Sequence, residues 1–189
     1  MKSPKRILIV AASPRANGNS TILALKAAEG VKAGGGEADF VSIGNMKIAP
    51  CDDCDSCRTN PKAGCVIKDD MQPLYQKIRD ARGVIFATPI YWFTMSSQMK
   101  LFIDRSYAIR GEDYFAFTGK DVGVILTYAD EDVFVSGWIN ALRTFQDIFA
   151  YSRARLVGSI YGSADNAGDV QNDRKLLQKA YDLGLKLAR

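Results

Sequence analysis

Cys51, Cys54, Cys57 and Cys65 stand within fifteen residues of one another, and no other cysteine occurs in the 189 residues. Two residues between successive thiols is ligand spacing. A bending backbone can then turn three sulfurs toward one centre, and a fourth thiol completes tetrahedral or cuboidal coordination. The intervening Asp52, Asp53, Asp55, Ser56 and Arg58 make this a polar loop, against the alternative of buried small hydrophobes. Zinc and a pair of disulfides are the other uses open to four cysteines. Structural zinc sites usually pair two CxxC knuckles across a longer insert, so the CxxCxxC run fits a cuboidal cluster better. Three aspartates beside such a centre would disfavour its reduction and lower its potential.

There is no histidine. Ser/His/Asp triads, Cys/His nucleophile pairs, HExxH zinc sites and histidine-ligated haem are therefore excluded, and any chemistry must come largely from a cofactor. A second chemical stretch is Ser13-Pro14-Arg15-Ala16-Asn17-Gly18-Asn19-Ser20-Thr21. It offers hydroxyls, an arginine, a glycine that permits close backbone approach, and then a helix start, which are the parts of a phosphate cradle. Asn19-Ser20 follows Gly18 where a Walker loop needs Lys-Ser/Thr, so nucleotide hydrolysis is not indicated and a fixed monophosphate fits better. The plainer alternative is a helix capped by Asn19 or Ser20. Thr88-Pro89-Ile90-Tyr91-Trp92-Phe93-Thr94-Met95 places three consecutive aromatics in what reads as a loop, suited to a planar heteroaromatic ring or to ordinary packing. Thr127-Tyr128-Ala129-Asp130 ends another apolar run.

The elements that must position these stretches alternate. Strands are predicted at 7–12, 38–43, 83–88, 122–128 and 154–161, and helices at 21–33, 71–81, 97–109 and 170–188. A further helix is marked by Trp138, Leu142, Phe145 and Phe149. Five such units predict an α/β fold, a doubly wound parallel sheet with helices on both faces, whose ligands bind beyond the carboxyl ends of the strands. All the chemical stretches fall there or in the cysteine-rich loop at about 46–68. The length suits one domain over residues 1–189.

At these residues the chain resembles a family. SPRANGNST, TPIYWFTMSSQMKLFIDR and CDDCDSCRTNPKAGCVIKDDM are similar to the iron-sulfur flavoproteins of the NADPH-dependent FMN reductase group. The resemblance implies a flavodoxin-like fold with strand order 2-1-3-4-5, an FMN and a [4Fe-4S] cluster. It implies that Ser13, Arg15, Asn19, Ser20 and Thr21 hold the FMN phosphate and that Pro89, Ile90, Tyr91 and Trp92 line the isoalloxazine. It also implies that Thr127, Tyr128 and Asp130 form a third flavin-side loop, and that Cys51, Cys54, Cys57 and Cys65 ligate the cluster. The last cysteine gap holds seven residues, at the long end of the family range, and Val66 rather than proline follows Cys65, which favours one cluster with local ligands. A homodimer or homotetramer is implied, with Tyr114, Phe115 and Phe117 as candidate contacts or as local packing. The activity implied is an FMN-dependent oxidoreductase coupling two-electron and one-electron carriers, with NAD(P)H or a ferredoxin-type partner as donor. Alternatives are a cluster-free NAD(P)H-dependent FMN or quinone reductase, a flavin/thiol redox sensor, and a zinc-stabilised structural protein.

Twenty-five basic against 21 acidic residues leave +4, spread without a Lys/Arg tract. Neither nucleic acid nor a membrane surface is indicated as partner. The apolar run at 7–12 is too short for a signal-peptide core, and a cytoplasmic setting, where thiols stay reduced, is expected.

Overall fold

The computed structural model describes residues 4–110 and 115–189. Its elements are β1 (Arg6–Ala11), α1 (Asn19–Ala33), β2 (Glu37–Ser42), the single turn α2 (Ser56–Thr59), α3 (Gln72–Asp80), β3 (Gly83–Tyr91) and the two-residue β4 (Thr94–Met95). After them come α4 (Ser97–Ser106), β5 (Asp121–Tyr128), α5 (Trp138–Tyr151), β6 (Arg155–Ser163) and α6 (Arg174–Ala188). Five parallel strands lie in the order β2-β1-β3-β5-β6, and β4 pairs antiparallel with β3. With β4 set aside this is the predicted 2-1-3-4-5 order of the flavodoxin-like sheet.

The strands read as continuous apolar runs because both faces are covered. Leu8, Val10, Val84, Phe86, Val124 and Leu126 project into the core beneath α3, α4 and α5. Their neighbours Ile7, Ile9, Ala11, Ile85, Ala87 and Ile125 project the other way, onto α1 and α6. Phe86 anchors the first layer, with the rings of Phe117 and Phe149 each 5.2 Å from its own. Phe117 is thus committed to the core of its own subunit, and Phe115 stacks on Tyr151 at 4.9 Å. Tyr114 lies outside the described residues.

Three boundaries differ from the sequence expectation by three residues or more, the first being the end of α4 at Ser106 rather than at 109. The closing helix begins at Arg174, where Asp173 accepts the Leu176 N–H at 2.9 Å, and Val170 sits in a separate 3-10 turn. β3 continues through Tyr91, so two residues rather than a long aromatic loop separate it from β4.

The depth of α1 is set by α6. A Cβ on Gly184 would lie 1.9 Å from the Ala27 carbonyl oxygen, and one on Gly30 would lie 2.0 Å from that of Tyr181. The helices therefore meet backbone to backbone. In Gly184→Ala the gain in helix propensity, about 1 kcal/mol, opposes an overpacking cost of about 3 kcal/mol against main chain that cannot rotate away. A net loss of about 2 kcal/mol in denaturant unfolding is predicted. Wild-type stability in that variant would show that the two helices can part freely.

Candidate functional site

The chain leaves β1 at the carboxyl edge of the sheet, turns through residues 13–18 and starts α1. The N-cap of α1 is Gly18, in extended conformation and with no side-chain cap. The first intrahelical bond runs from Ile22 N to Gly18 O at 3.0 Å, so the amides of Asn19, Ser20 and Thr21 lie ahead of the helical ladder. Ser20 Oγ and Thr21 Oγ1 are buried without a hydrogen-bond partner. Unused amides and two orphaned hydroxyls at the positive end of a helix suit an anion. Gly18 is required by the close turn, since a Cβ there would stand 2.0 Å from Ser13 Oγ. Ser13 Oγ itself accepts the Arg15 N–H at 3.2 Å, and Arg15 Nη1 donates to Asp165 O at 3.2 Å.

Asn19 is employed differently. Its Nδ2 donates to Ala164 O (3.1 Å) and Asn166 O (2.8 Å), and its Oδ1 accepts from Gly168 N (3.0 Å) and Val170 N (3.3 Å). The side chain ties α1 to the loop after β6, which leaves its main chain to face the cradle.

Ser13, Arg15, Asn19 and Ser20 border one cleft of about 160 Å³ with Pro89, Ile90, Tyr91, Thr127 and Tyr128. Ile90, Tyr91, Tyr128 and Ala129 also border a wider hollow of about 490 Å³, shared with Trp92, Phe93, Asp130 and Ser136. The three strand-end loops thus meet around one elongated depression. Ala164 and Asp165 complete the narrower part. They were not singled out from sequence, because the end of β6 carries no motif.

The β3–β4 turn is strained. Trp92 and Phe93 have φ of 47° and 65°, the left-handed pair of a two-residue hairpin in which Asn-Gly is usual. Each costs about 1–2 kcal/mol relative to glycine. The turn is held by the pairings Ile90 with Met95 and Tyr91 with Thr94, and it rests on Gly137, where a Cβ would lie 2.3 Å from Phe93 Cα. Thr88 Oγ1 accepts the Ser96 N–H at 3.0 Å and Ser96 Oγ donates to Ala12 O at 3.2 Å, locking the ends of β1 and β3 together. Trp92 is nonetheless 91 % exposed. Strain maintained under an exposed aromatic at a cleft is the mark of a functional loop.

The four thiols line a separate small pocket of about 30 Å³ with Val66 and Tyr107. All four are free, Cys51 and Cys54 exposed and Cys57 and Cys65 half-buried. Asp53 and Asp55, with φ of 53° and 56°, bend the loop tightly. Burial, then repulsion from Cys65, Cys51 and Cys54, pushes the Cys57 thiol up. Among the described residues no three Cys, Asp or Glu side chains converge as a metal-binding group. The donor set fits an iron-sulfur centre in number and kind.

Both ends of this loop are fastened to one buried ion pair. Asp69 accepts the Ala49 N–H (2.8 Å) and the Met71 N–H (3.0 Å). Arg105, on α4, forks onto the same carboxylate at 2.5 and 3.3 Å and donates to Ala49 O at 2.8 Å. Burial pushes the Asp69 carboxyl up, but the hydrogen bonds from Arg105, Ala49 and Met71 outweigh it and hold the group below its ordinary value. A sequence signal existed for Arg105, because it continues the buried stripe of Met99 and Phe102 one turn further with a charge.

No helix among the described residues is long and apolar enough to cross a membrane. An iron-sulfur flavoprotein of Methanocaldococcus jannaschii is 28% identical over 191 residues, covering 97% of this chain and 95% of that protein. An iron-sulfur flavoprotein of Archaeoglobus fulgidus is 35% identical over 127 residues, 67% of this chain and 63% of its own length. The solved structure of the Trp repressor binding protein from Bacillus subtilis matches with a TM-score of 0.68 at 27% identity, over 95% of this chain and 98% of that one. The sequence profile described as NADPH-dependent FMN reductase matches residues 5–169, from the strand that leads into the cradle to the turn before α6. The chain belongs to the NADPH-dependent FMN reductase family and is an FMN oxidoreductase of flavodoxin-like fold.

Proposed function

We propose that this FMN oxidoreductase carries, in addition, a [4Fe-4S] cluster on Cys51, Cys54, Cys57 and Cys65 and couples two-electron to one-electron carriers. FMN supplies one- and two-electron exchange and the cluster supplies single electrons. The chain's own part is to bind and orient. The amides at the start of α1, with the hydroxyls of Ser20 and Thr21, receive the phosphate, and Ser13 and Arg15 flank it. Pro89, Ile90, Tyr91 and Trp92 border the ring on one side, and Thr127, Tyr128 and Asp130 on another. With no histidine in the chain, no side-chain relay of the Ser/His/Asp kind is assigned.

The observation that supports the cluster is that the chain's whole complement of thiols, brought from a fifteen-residue span, faces one pocket. Reduced thiols accord with a cytoplasmic setting. A ferredoxin-type protein or NAD(P)H is the donor in this proposal. NAD(P)H would have to stack directly on the flavin, because Gly34 and Gly35 form the C-terminal turn of α1 and not a second dinucleotide loop. The rim of the wider hollow exposes Trp92, and Phe134 and Val135 are exposed on the segment preceding α5. Apolar side chains so exposed favour a homodimer or homotetramer that covers this face.

The family description favours a second possibility, an NAD(P)H-dependent reductase without a cluster. Anaerobic purification, with flavin, iron, zinc and acid-labile sulfide counted per chain, separates the two. Flavin with about four irons and four sulfides is the expected result, and serine at Cys51, Cys54, Cys57 or Cys65 should remove iron while flavin remains. Flavin without iron or sulfide after anaerobic reconstitution would leave the cluster-free reductase, as would NAD(P)H oxidation unaffected by all four serines.

The cradle makes a prediction of its own. In Ser20→Ala the orphaned hydroxyl disappears, so stability without flavin should be unchanged or higher. FMN should bind about 10- to 100-fold more weakly, as expected for one hydrogen bond to a charged group of about 1.5–3 kcal/mol. Asn19→Ala should instead lower stability by about 2–4 kcal/mol through its lost loop contacts. Fluorescence titration with FMN and thermal unfolding without it distinguish the two, and undiminished FMN affinity in Ser20→Ala would remove this hydroxyl from the phosphate site.

A further inference from the structure

We propose that Arg105 is a positioning residue for the cysteine-bound centre, holding the sulfur of Cys65 and raising the reduction potential there. This rests on the cluster proposed above.

Arg105 is among the largest fully buried side chains, 1 % exposed beside the Asp69 side chain at 10 %. Such a charge is tolerated only where its N–H groups are matched. Nη1 is satisfied by Ala49 O and Asp69 Oδ2. Nη2 is shared among Asp69 Oδ1, Tyr75 Oη and Cys65 Sγ, each at 3.3 Å. Nε finds no partner. A hydrophobic replacement of similar volume would serve a core as well as a buried ion pair does. What it would not supply is an N–H directed at a sulfur.

Tyr75 is buried in the same place. Its hydroxyl oxygen accepts from Arg105 Nη2 and so competes with the Cys65 sulfur for that N–H group. Gln72 Nε2 fixes the same cysteine from the main-chain side, donating to Cys65 O at 3.1 Å. The ligand that follows the longest gap in the cysteine run is therefore the one with its sulfur and its backbone both held.

Hydrogen bonds to ligand sulfur and nearby positive charge stabilise the more negative, reduced form of a cluster. Asp52, Asp53 and Asp55 act in the opposite sense, but they are exposed and screened by solvent and salt. Arg105 is buried and in contact. Charge for charge, its influence is the larger.

The test is a redox titration of anaerobically reconstituted protein, with iron and FMN counted. Arg105→Lys keeps a cation for Asp69 and loses the fork, and Tyr75→Phe leaves the ion pair intact and removes the acceptor that competes with Cys65 for Nη2. The midpoint of the cluster should move to lower potential in Arg105→Lys and to higher potential in Tyr75→Phe, with FMN content unchanged in both and iron content unchanged in Tyr75→Phe. A clamp that only closes the loop would lower stability and iron content in Arg105→Lys and leave the potential of the loaded fraction where it was. Wild-type potential in Arg105→Lys would thus overturn the proposal. Where Arg105→Lys fails to fold or to take up iron, Tyr75→Phe decides, and a wild-type potential there overturns it as well. Absence of iron from the reconstituted wild type is a different failure, of the cluster itself.

Discussion

A parallel sheet covered by helices on both faces has one place left for polar chemistry, the edge where its strands end. β1, β3 and β5 are apolar almost without interruption, because a polar side chain on either face would be buried without water. Hydroxyls, charges and unpaired amides are displaced into the loops that follow these strands. The three central strands lie side by side, so their loops meet in one depression. The cradle at Ser20 and Thr21, the strained turn at Trp92 and Phe93, and the loop after Tyr128 are consequences of that constraint.

The cysteine loop is the exception, for it leaves the sheet after β2 and returns only at α3. Residues 49–69 have little regular structure beyond the single turn of α2. Closing a loop of this length costs configurational entropy that grows slowly with length, and few apolar contacts are available to offset it. The buried pair of Asp69 and Arg105 supplies the closure. It takes both main-chain groups of Ala49 before the first cysteine and sits four residues beyond the last. Removal of either partner would leave a buried charge alone, so the closure is held far more strongly than an exposed ion pair would hold it.

Much of this architecture was legible in the sequence, for reasons that also mark where legibility ends. Ile7 to Ala12 and Val122 to Tyr128 are unmistakable because double-sided burial writes an unbroken apolar run. Gly18 followed by Asn19-Ser20-Thr21 declares an anion-binding helix start because few other arrangements need those residues together. Asn19 shows the limit: spacing places it in the cradle, but its partners lie about 150 residues onward, and only tertiary structure reveals that its side chain is spent on them. The extension of β3 through Tyr91 was hidden for a related reason. A two-residue hairpin with both φ positive is ordinarily signalled by Asn-Gly, and Trp92-Phe93 contradicts that signal. The conflict between local preference and observed geometry coincides with the edge of the cleft at the strand ends, where strain is most readily retained for use.

The two halves of the molecule's chemistry are joined by α4. Its N-cap Ser96 accepts the Met99 N–H and bonds to the end of β1, so this end of the helix belongs to the cleft at the strand ends. Nine residues on, Arg105 belongs to the cysteine loop. At 1.5 Å per residue the two points are about 14 Å apart along the axis. Between them Met99 and Phe102 are fully buried in the core, which leaves little freedom for one end to shift without the other. A helix held in this way acts as a spacer. It fixes the separation of the two sites by packing rather than by a flexible linker, and for the electron transfer proposed above a fixed separation matters more than any single side chain lying between them.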